Sequence, residues 1–395
     1  MLENSKRAPY KILVLNDNMP WGHRSIAKAI YNYLSRSRRA EDNWQVDYAE
    51  VKAEVGPIID IYTMMARYLP ESPALMFKLL DQKISAKVLS KISLKALSEI
   101  KAAVNQVKPD LVISTYYVHS HCLARWKMAE APLFKLWTVV SDPWSVSLVT
   151  IIPNGVDLHL VYDEVGEKVG LEHGLAPMQI LKTGWWVREE MYQGYNRGTI
   201  RHSLGIEDDR PTLFVGGGSL GNSALPWILP MLLAAERPIT VIVNSGTDKL
   251  AYNLVAEYAR AYKRLKKKRL VQIINLGWIE NMAEVLTACD IVFGKAGPNF
   301  IMDVVARCKP FVAISHVAGC ENGNLDLIRE RGLGWVKEKP DEMFGFIKAY
   351  LERPEAYNLM FSESITAEAE RNRRSLPLIA ERIRQTQNGQ PIPLC

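Results

Sequence analysis

Short apolar runs recur along the chain, and between them the apolar positions fall back to helical spacing. Lys11–Leu15, Gln45–Val51, Asp110–Ser114, Leu136–Val140, His159–Tyr162 and Ile180–Thr183 read as buried strands in the first half. Pro211–Val215, Ile239–Val243, Val271–Asn275, Asp290–Phe293 and Phe311–Ser315 read the same way in the second. A helix is expected over Ser25–Ser35, with Ile26, Ala29, Ile30, Tyr33 and Leu34 on its apolar face. Others are expected near Leu94–Val107, Leu325–Glu330, Pro340–Leu351 and Pro354–Ile383. Strands alternating with helices predict parallel, doubly wound α/β domains. The polar stretch Glu189–Arg210 separates two of them.

Ala288–Asn324 condenses this pattern into strand, glycine turn, helix, strand and polar loop. Pro298 suits the first helical turn, where its missing N–H costs nothing. A helix opening at a strand's C-terminal end points N–H groups outward and favours an anion. An ordinary βαβ unit explains the stretch equally well. Gly216–Asn222 after Val215 has the form G-x-G-x-x-G, but the next strand ends in Asn244-Ser245-Gly246 and supplies no acid for a ribose. A nicotinamide or flavin cofactor is therefore disfavoured, while backbone N–H groups of Gly217–Leu220 can still cradle a diphosphate.

The length, 395 residues, calls for two cores. Hydrophobic residues at 48% and charged residues at 23% are an ordinary globular balance. No apolar run approaches a bilayer span, and the N-terminus passes from charged residues directly into a strand, unlike a signal peptide. Five scattered cysteines lack metal-ligand spacing and fit a reducing cytoplasm. Charge is uneven: residues 1–140 hold 20 Lys and Arg against 13 Asp and Glu, the rest 29 against 30. That asymmetry, with the Tyr- and Met-rich, lysine-bearing segment Val55–Leu89, suits an anionic membrane surface, a greasy acceptor cleft or plain core helices. The lysine run Lys263–Arg269 reads as a solvated helix end, and nucleic acid is not an expected partner.

Several side chains carry candidate chemistry. His23 follows Gly22 in a loop opening a helix at a strand's C-terminal edge, where open α/β sheets keep their ligands. Asp142 ends another strand and could reach the same cleft or cap the next turn. His119 and His121 invite a metal reading, but no third ligand is evident, and no metal site is expected.

Taken in order, these pieces resemble the GT-B glycosyltransferases. More narrowly they resemble the monogalactosyldiacylglycerol synthase and diacylglycerol glucosyltransferase group, relatives of the peptidoglycan N-acetylglucosaminyltransferase (glycosyltransferase family 28). The resemblance runs over residues 10 to 350. It rests on Gly22-His23-Arg24, Lys108–Ser114, Thr138–Asp142, Gly216–Gly218, Gly277–Met282, Lys295–Pro298 and Gly319–Asn324. It implies two Rossmann-like domains facing a central cleft: an acceptor-binding domain over 1–190 and a nucleotide-sugar domain over 206–365. A helix and tail over 366–395 can pack back on the first. The implied activity is inverting, metal-independent transfer of a sugar from a UDP-sugar co-substrate to a diacylglycerol-type lipid. The enzyme would be cytoplasmic and peripheral on the inner face of the membrane, with no bound cofactor.

By family position His23 would be the general base or an acceptor contact; Asp142 is the second catalytic candidate, and Trp21, Gly22 and Tyr116 are expected on the acceptor side. Gly216, Gly217, Gly218, Ser219 and Leu220 would hold the diphosphate with Gly297, Pro298 and Asn299. Trp278 and Ile279 would lie beside the uracil, Asp303 on the ribose, and Cys320, Glu321, Asn322 and Asn324 at the sugar. Met19-Pro20-Trp21 stands where the family has glycines, Asp303 where it has glutamate, and Cys320 and Asn322 depart from its sugar loop, so galactose is not carried over. Alternatives are a UDP-sugar transferase with a hydrophobic small-molecule acceptor, a sugar-nucleotide epimerase using Asp17, Asp142 or Glu321, and a non-catalytic binder.

Overall fold

The structure, a computed structural model, describes residues 8–18, 22–36, 39, 42–52, 84–207, 210–216, 225–265 and 270–387. The chain divides into two compact units. Unit 1 takes in the described residues up to Arg188 and those from Asn372 onward; unit 2 takes in Glu189–Arg371.

Unit 1 is a six-stranded sheet of β1 (Tyr10–Asn16), β2 (Trp44–Glu50), β3 (Leu111–Ser114), β4 (Lys135–Val139), β5 (Leu158–Val161) and β6 (Ile180–Lys182). Their spatial order is β2-β1-β3-β4-β5-β6, with every pairing parallel. Every residue of β3 and β5 is buried, and apart from Ser114 and His159 these strands are apolar on both faces. The crossovers are α1 (Gly22–Arg36), α2 (Ile84–Val107), α3 (Tyr117–Glu130) and α4 (Glu164–Glu172). Helix α1 buries Ile26, Ala27, Ala29, Ile30 and Leu34.

Unit 2 repeats the plan with β7 (Thr212–Gly216), β8 (Ile239–Asn244), β9 (Val271–Leu276), β10 (Ile291–Lys295), β11 (Phe311–Ser315) and β12 (Gly334–Val336). Their order is β12-β11-β10-β7-β8-β9, again parallel throughout. Around them lie α5 (Arg197–Ser203), α6 (Leu225–Leu233), α7 (Lys249–Leu265), α8 (Met282–Ala288), α9 (Pro298–Ala306), α10 (Asn322–Glu330), α11 (Pro340–Glu352) and α12 (Pro354–Leu359). Helix α13 (Ser362–Arg373) then runs into α14 (Ser375–Gln387).

Back in unit 1, Asn372 Oδ1 accepts from Trp185 N at 2.8 Å, and Ser375 Oγ donates to Trp185 O at 2.8 Å. Farther along α14, Arg384 forks onto Asp42 at 2.7 and 2.8 Å and lies over the Trp44 ring.

Two doubly wound parallel domains were the expectation, and two are present. The differences lie at helix ends. Helix α1 begins at Gly22, so His23 occupies its first turn rather than a preceding loop. Helix α10 begins at Asn322, so Asn322 and Asn324 are helical rather than looped. The single helix expected over 354–383 is three, separated near Met360 and Arg374. Helices α3 and α5 carry apolar patterns too weak or too short to be anticipated. Among the described residues no helix is long and apolar enough to cross a membrane.

Candidate functional site

In each sheet the strand order reverses at one point, and the C-terminal edge there is where a doubly wound domain keeps its ligand. In unit 1 that point lies between β1 and β3. The chain leaves β1 through Asn16 and Asp17, both buried, and Asn16 Oδ1 accepts from Thr115 Oγ1 at 2.8 Å, joining the two strand ends. Below them Ser120 Oγ bonds Ser114 Oγ at 2.9 Å and Thr138 Oγ1 at 2.7 Å, fixing the start of α3.

His23 stands over this edge. Its Nδ1 lies 3.0 Å from Thr115 O, and since a carbonyl only accepts, Nδ1 carries the proton and Nε2 keeps its lone pair. Burial pulls its pKa from 6.5 down to about 4, against a smaller upward pull from the Thr115 carbonyl. The imidazole is therefore neutral at pH 7. Arg24, next in α1, forks onto Glu50 at 2.7 Å through each of two bonds and ties the helix start to the end of β2.

Tyr116 packs edge-on against both His23 and His119, with centroids 5.2 and 5.4 Å apart. Tyr116 is itself buried, and its neighbour Tyr117 is partly buried. His119 is fully buried, its Nε2 3.9 Å from Asp17 Oδ2, and burial, against a smaller upward pull from the Val51 backbone, lowers its pKa to about 4. His121 faces elsewhere and donates from Nε2 to Val149 O at 2.8 Å, so the two histidines do not converge on one ion. Among the described residues no group of three His, Cys, Asp or Glu could hold a metal. Asp142, beyond β4, is close enough to raise the pKa of Tyr117, after burial and against the Tyr116 hydrogen bond. Gly22 opens α1; Trp21 lies outside the described residues.

In unit 2 the reversal falls between β7 and β10. Gly216 and Gly294 pair there, and packing explains both glycines. A Cβ on Gly216 would stand 2.5 Å from the Phe214 ring; one on Gly294 would stand 2.5 Å from Phe300 and 3.0 Å from Gly216 O. Gly217, Gly218, Ser219 and Leu220 lie outside the described residues, as do most of Val55–Leu89 and the end of the Lys263–Arg269 run. Helix α9 starts at Pro298 from a Gly297 N-cap with no side-chain cap and no acid in its first turn, an electrostatically positive end. Asn299 is in that turn, and Asp303, partly exposed, is farther along α9.

The loop after β11 closes on the same turn. Asn324, fully buried, donates from Nδ2 to Ala296 O at 2.8 Å. Asn322 Oδ1 accepts from Gly319 N at 2.8 Å, and Glu321 Oε2 from Val317 N at 2.6 Å. Cys320 lies 3.9 Å through sulfur from Val317 O. Lys295, which opens the Lys295–Pro298 motif but had no role assigned to it, donates to Glu321 Oε1. Thus Gly297, Glu321, Asn322 and Asn324 are brought together. Trp278, 71% exposed, and Ile279 stand after β9, separated from β10 by β7 and β8. Asn244 turns its Oδ1 onto Gly246 N at 2.8 Å, occupying the place where a dinucleotide fold carries its acid.

Residues 23–187 match the family described as "Monogalactosyldiacylglycerol (MGDG) synthase". The chain is 24% identical over 355 residues to the chloroplastic monogalactosyldiacylglycerol synthase of Spinacia oleracea, covering 85% of this chain and 65% of that protein. It thus spans about two thirds of that relative's length. Among solved structures, MurG of Acinetobacter baumannii superposes with a TM-score of 0.57 at 14% identity, covering 94% of this chain and 100% of the other. UDP-GlcNAc 2-epimerase of Neisseria meningitidis bound to UDP-GlcNAc gives 0.61 at 12%, covering 95% and 100%. The chain has the GT-B fold and is similar in sequence to monogalactosyldiacylglycerol synthases.

Proposed function

We propose that this chain is a UDP-sugar-dependent glycosyltransferase that moves a hexose, with inversion, onto a diacylglycerol-type lipid at a membrane surface. The observation that carries the reading is His23, a neutral imidazole at the unit 1 reversal point, with Nδ1 committed to Thr115 O and the lone pair on Nε2. The synthase relatives support a lipid acceptor, and the epimerase bound to UDP-GlcNAc supports a UDP-sugar donor.

The step follows from these parts. An acceptor hydroxyl oxygen bonds the anomeric carbon as the bond to the β-phosphate oxygen breaks. The electron pair leaves with UDP, and the hydroxyl proton passes to His23 Nε2. Charge growing on the diphosphate is met by the positive start of α9. Asp142 and Tyr117 line the same edge as His23, and Asp303 and the Glu321–Asn324 turn are assigned to ribose and sugar. No metal is invoked.

The test offers a panel of UDP- and other NDP-sugars with and without a lipid extract and follows nucleotide release. Release from one UDP-sugar, dependent on lipid, is expected. Tight UDP binding without release from any donor would sink the transferase reading, and a sugar changed while still on its nucleotide would favour an epimerase.

A further inference from the structure

Lys295 ends β10 at the unit 2 reversal point, and the proposed transfer step does not use it. Its ammonium and the Glu321 carboxylate form an ion pair with side chains only 12% and 10% exposed. The pair sits over the start of α9: a Cβ on Gly297, the N-cap, would meet Lys295 Nζ at 3.3 Å and Glu321 Oε1 at 3.5 Å. The positive helix end and the ammonium therefore converge on one place, and a carboxylate now answers both.

Glu321 is fully engaged there. Oε1 takes the lysine and Oε2 takes Val317 N. Beside it the Asn324 carbonyl oxygen, Oδ1, is buried without a partner while its Nδ2 holds the turn through Ala296 O. An orphaned buried acceptor next to an ion pair marks a turn whose polar groups are completed by something further. A buried ammonium left without an anion is costly, so Lys295 can leave Glu321 only where a second anion takes its place.

We propose that Lys295 is the charge-compensating residue for the donor diphosphate, and that Glu321 occupies it until the donor binds. Resting on the UDP-sugar reading above, the assignment gives Lys295 a catalytic role that charge alone supplies. As the anomeric carbon releases the β-phosphate oxygen with its electron pair, the ammonium neutralises the charge that appears. Glu321 Oε1, relieved of the lysine, is then free to accept a hydroxyl of the sugar.

The competition makes a prediction of unusual sign. In the full chain E321Q keeps the shape of Glu321 and an oxygen for Val317 N but surrenders its hold on Lys295. Equilibrium binding of UDP should tighten in E321Q by roughly three- to tenfold, weaken in K295M by tenfold or more, and in the double variant match K295M. UDP affinity unchanged or weaker in E321Q, or unchanged in K295M, overturns the proposal while leaving the transferase reading intact. Failure of the wild-type chain to bind UDP removes both.

Discussion

Acid should loosen unit 1 well before unit 2, and histidine burial sets the size of the effect. His119 and His159 are both fully buried, and burial takes the pKa of each from 6.5 to about 4. His159 Nε2 also accepts from Ile152 N at 3.1 Å, a bond that only the neutral ring can make. The folded pKa lies below the unfolded one, so the unfolded chain binds more protons between those values. Stability is thus fully present above about pH 6.5 and declines as pH falls towards 4. At pH 5 each histidine should remove about 2 kcal/mol, or about 4 together, a large part of a domain's usual ~5–15 kcal/mol. His23 adds to this in the same direction. Asp42, whose pKa the Arg384 fork holds down, loses its contribution only at lower pH. Urea unfolding at pH 7.5 and 5.0, followed by hydrogen exchange in β4 and β5 against β7 and β8, measures this. H159Q, whose side-chain oxygen can accept from Ile152 N, should recover about 2 kcal/mol of the acid loss. A loss below about 0.5 kcal/mol in unit 1, an equal loss in unit 2, or an unimproved H159Q would refute the reasoning.

Other outcomes follow from the same geometry. G294A places a Cβ against Phe300 and Gly216 O and should cost about 1–3 kcal/mol in urea unfolding; a neutral result would mean the β10 end adjusts freely. R384M strips Asp42, whose side chain is 1% exposed, of its fork and should destabilise by about 2–4 kcal/mol, with earlier proteolysis of α14; unchanged resistance would contradict it. The chain should float with anionic liposomes and release at high salt, and floatation indifferent to lipid charge would remove the membrane part of the proposal.

How much was legible in the sequence depended on range. Buried parallel strands announce themselves, because Leu111–Ser114 or Phe311–Ser315 must be apolar on both faces. Helix starts do not. Gly22 is a poor helix former, and its place in α1 is set by the packing of Ile26 and Ile30 and by the Arg24–Glu50 fork, a contact across 26 residues. Tyr116 and Tyr117 are indistinguishable as letters, yet the turn from β3 into α3 buries one between two histidines and leaves the other only partly buried. The Lys295–Pro298 motif was visible, but the role of Lys295 was not, because its partner, Glu321, is reached only through β11. The Arg384–Asp42 fork, 342 residues apart, has no local trace at all.

The central claim is transfer of a sugar from UDP to a lipid with His23 taking the proton. It is tested most directly by incubating sugar-labelled UDP-sugar with diacylglycerol vesicles and following label into the lipid phase, for the wild-type chain and H23A. Wild type should place one labelled sugar in lipid for each UDP released. H23A should lower that rate by roughly 10²–10⁴ while binding UDP as before. Label that stays in the aqueous phase, or an H23A chain that transfers at the wild-type rate, would contradict the account.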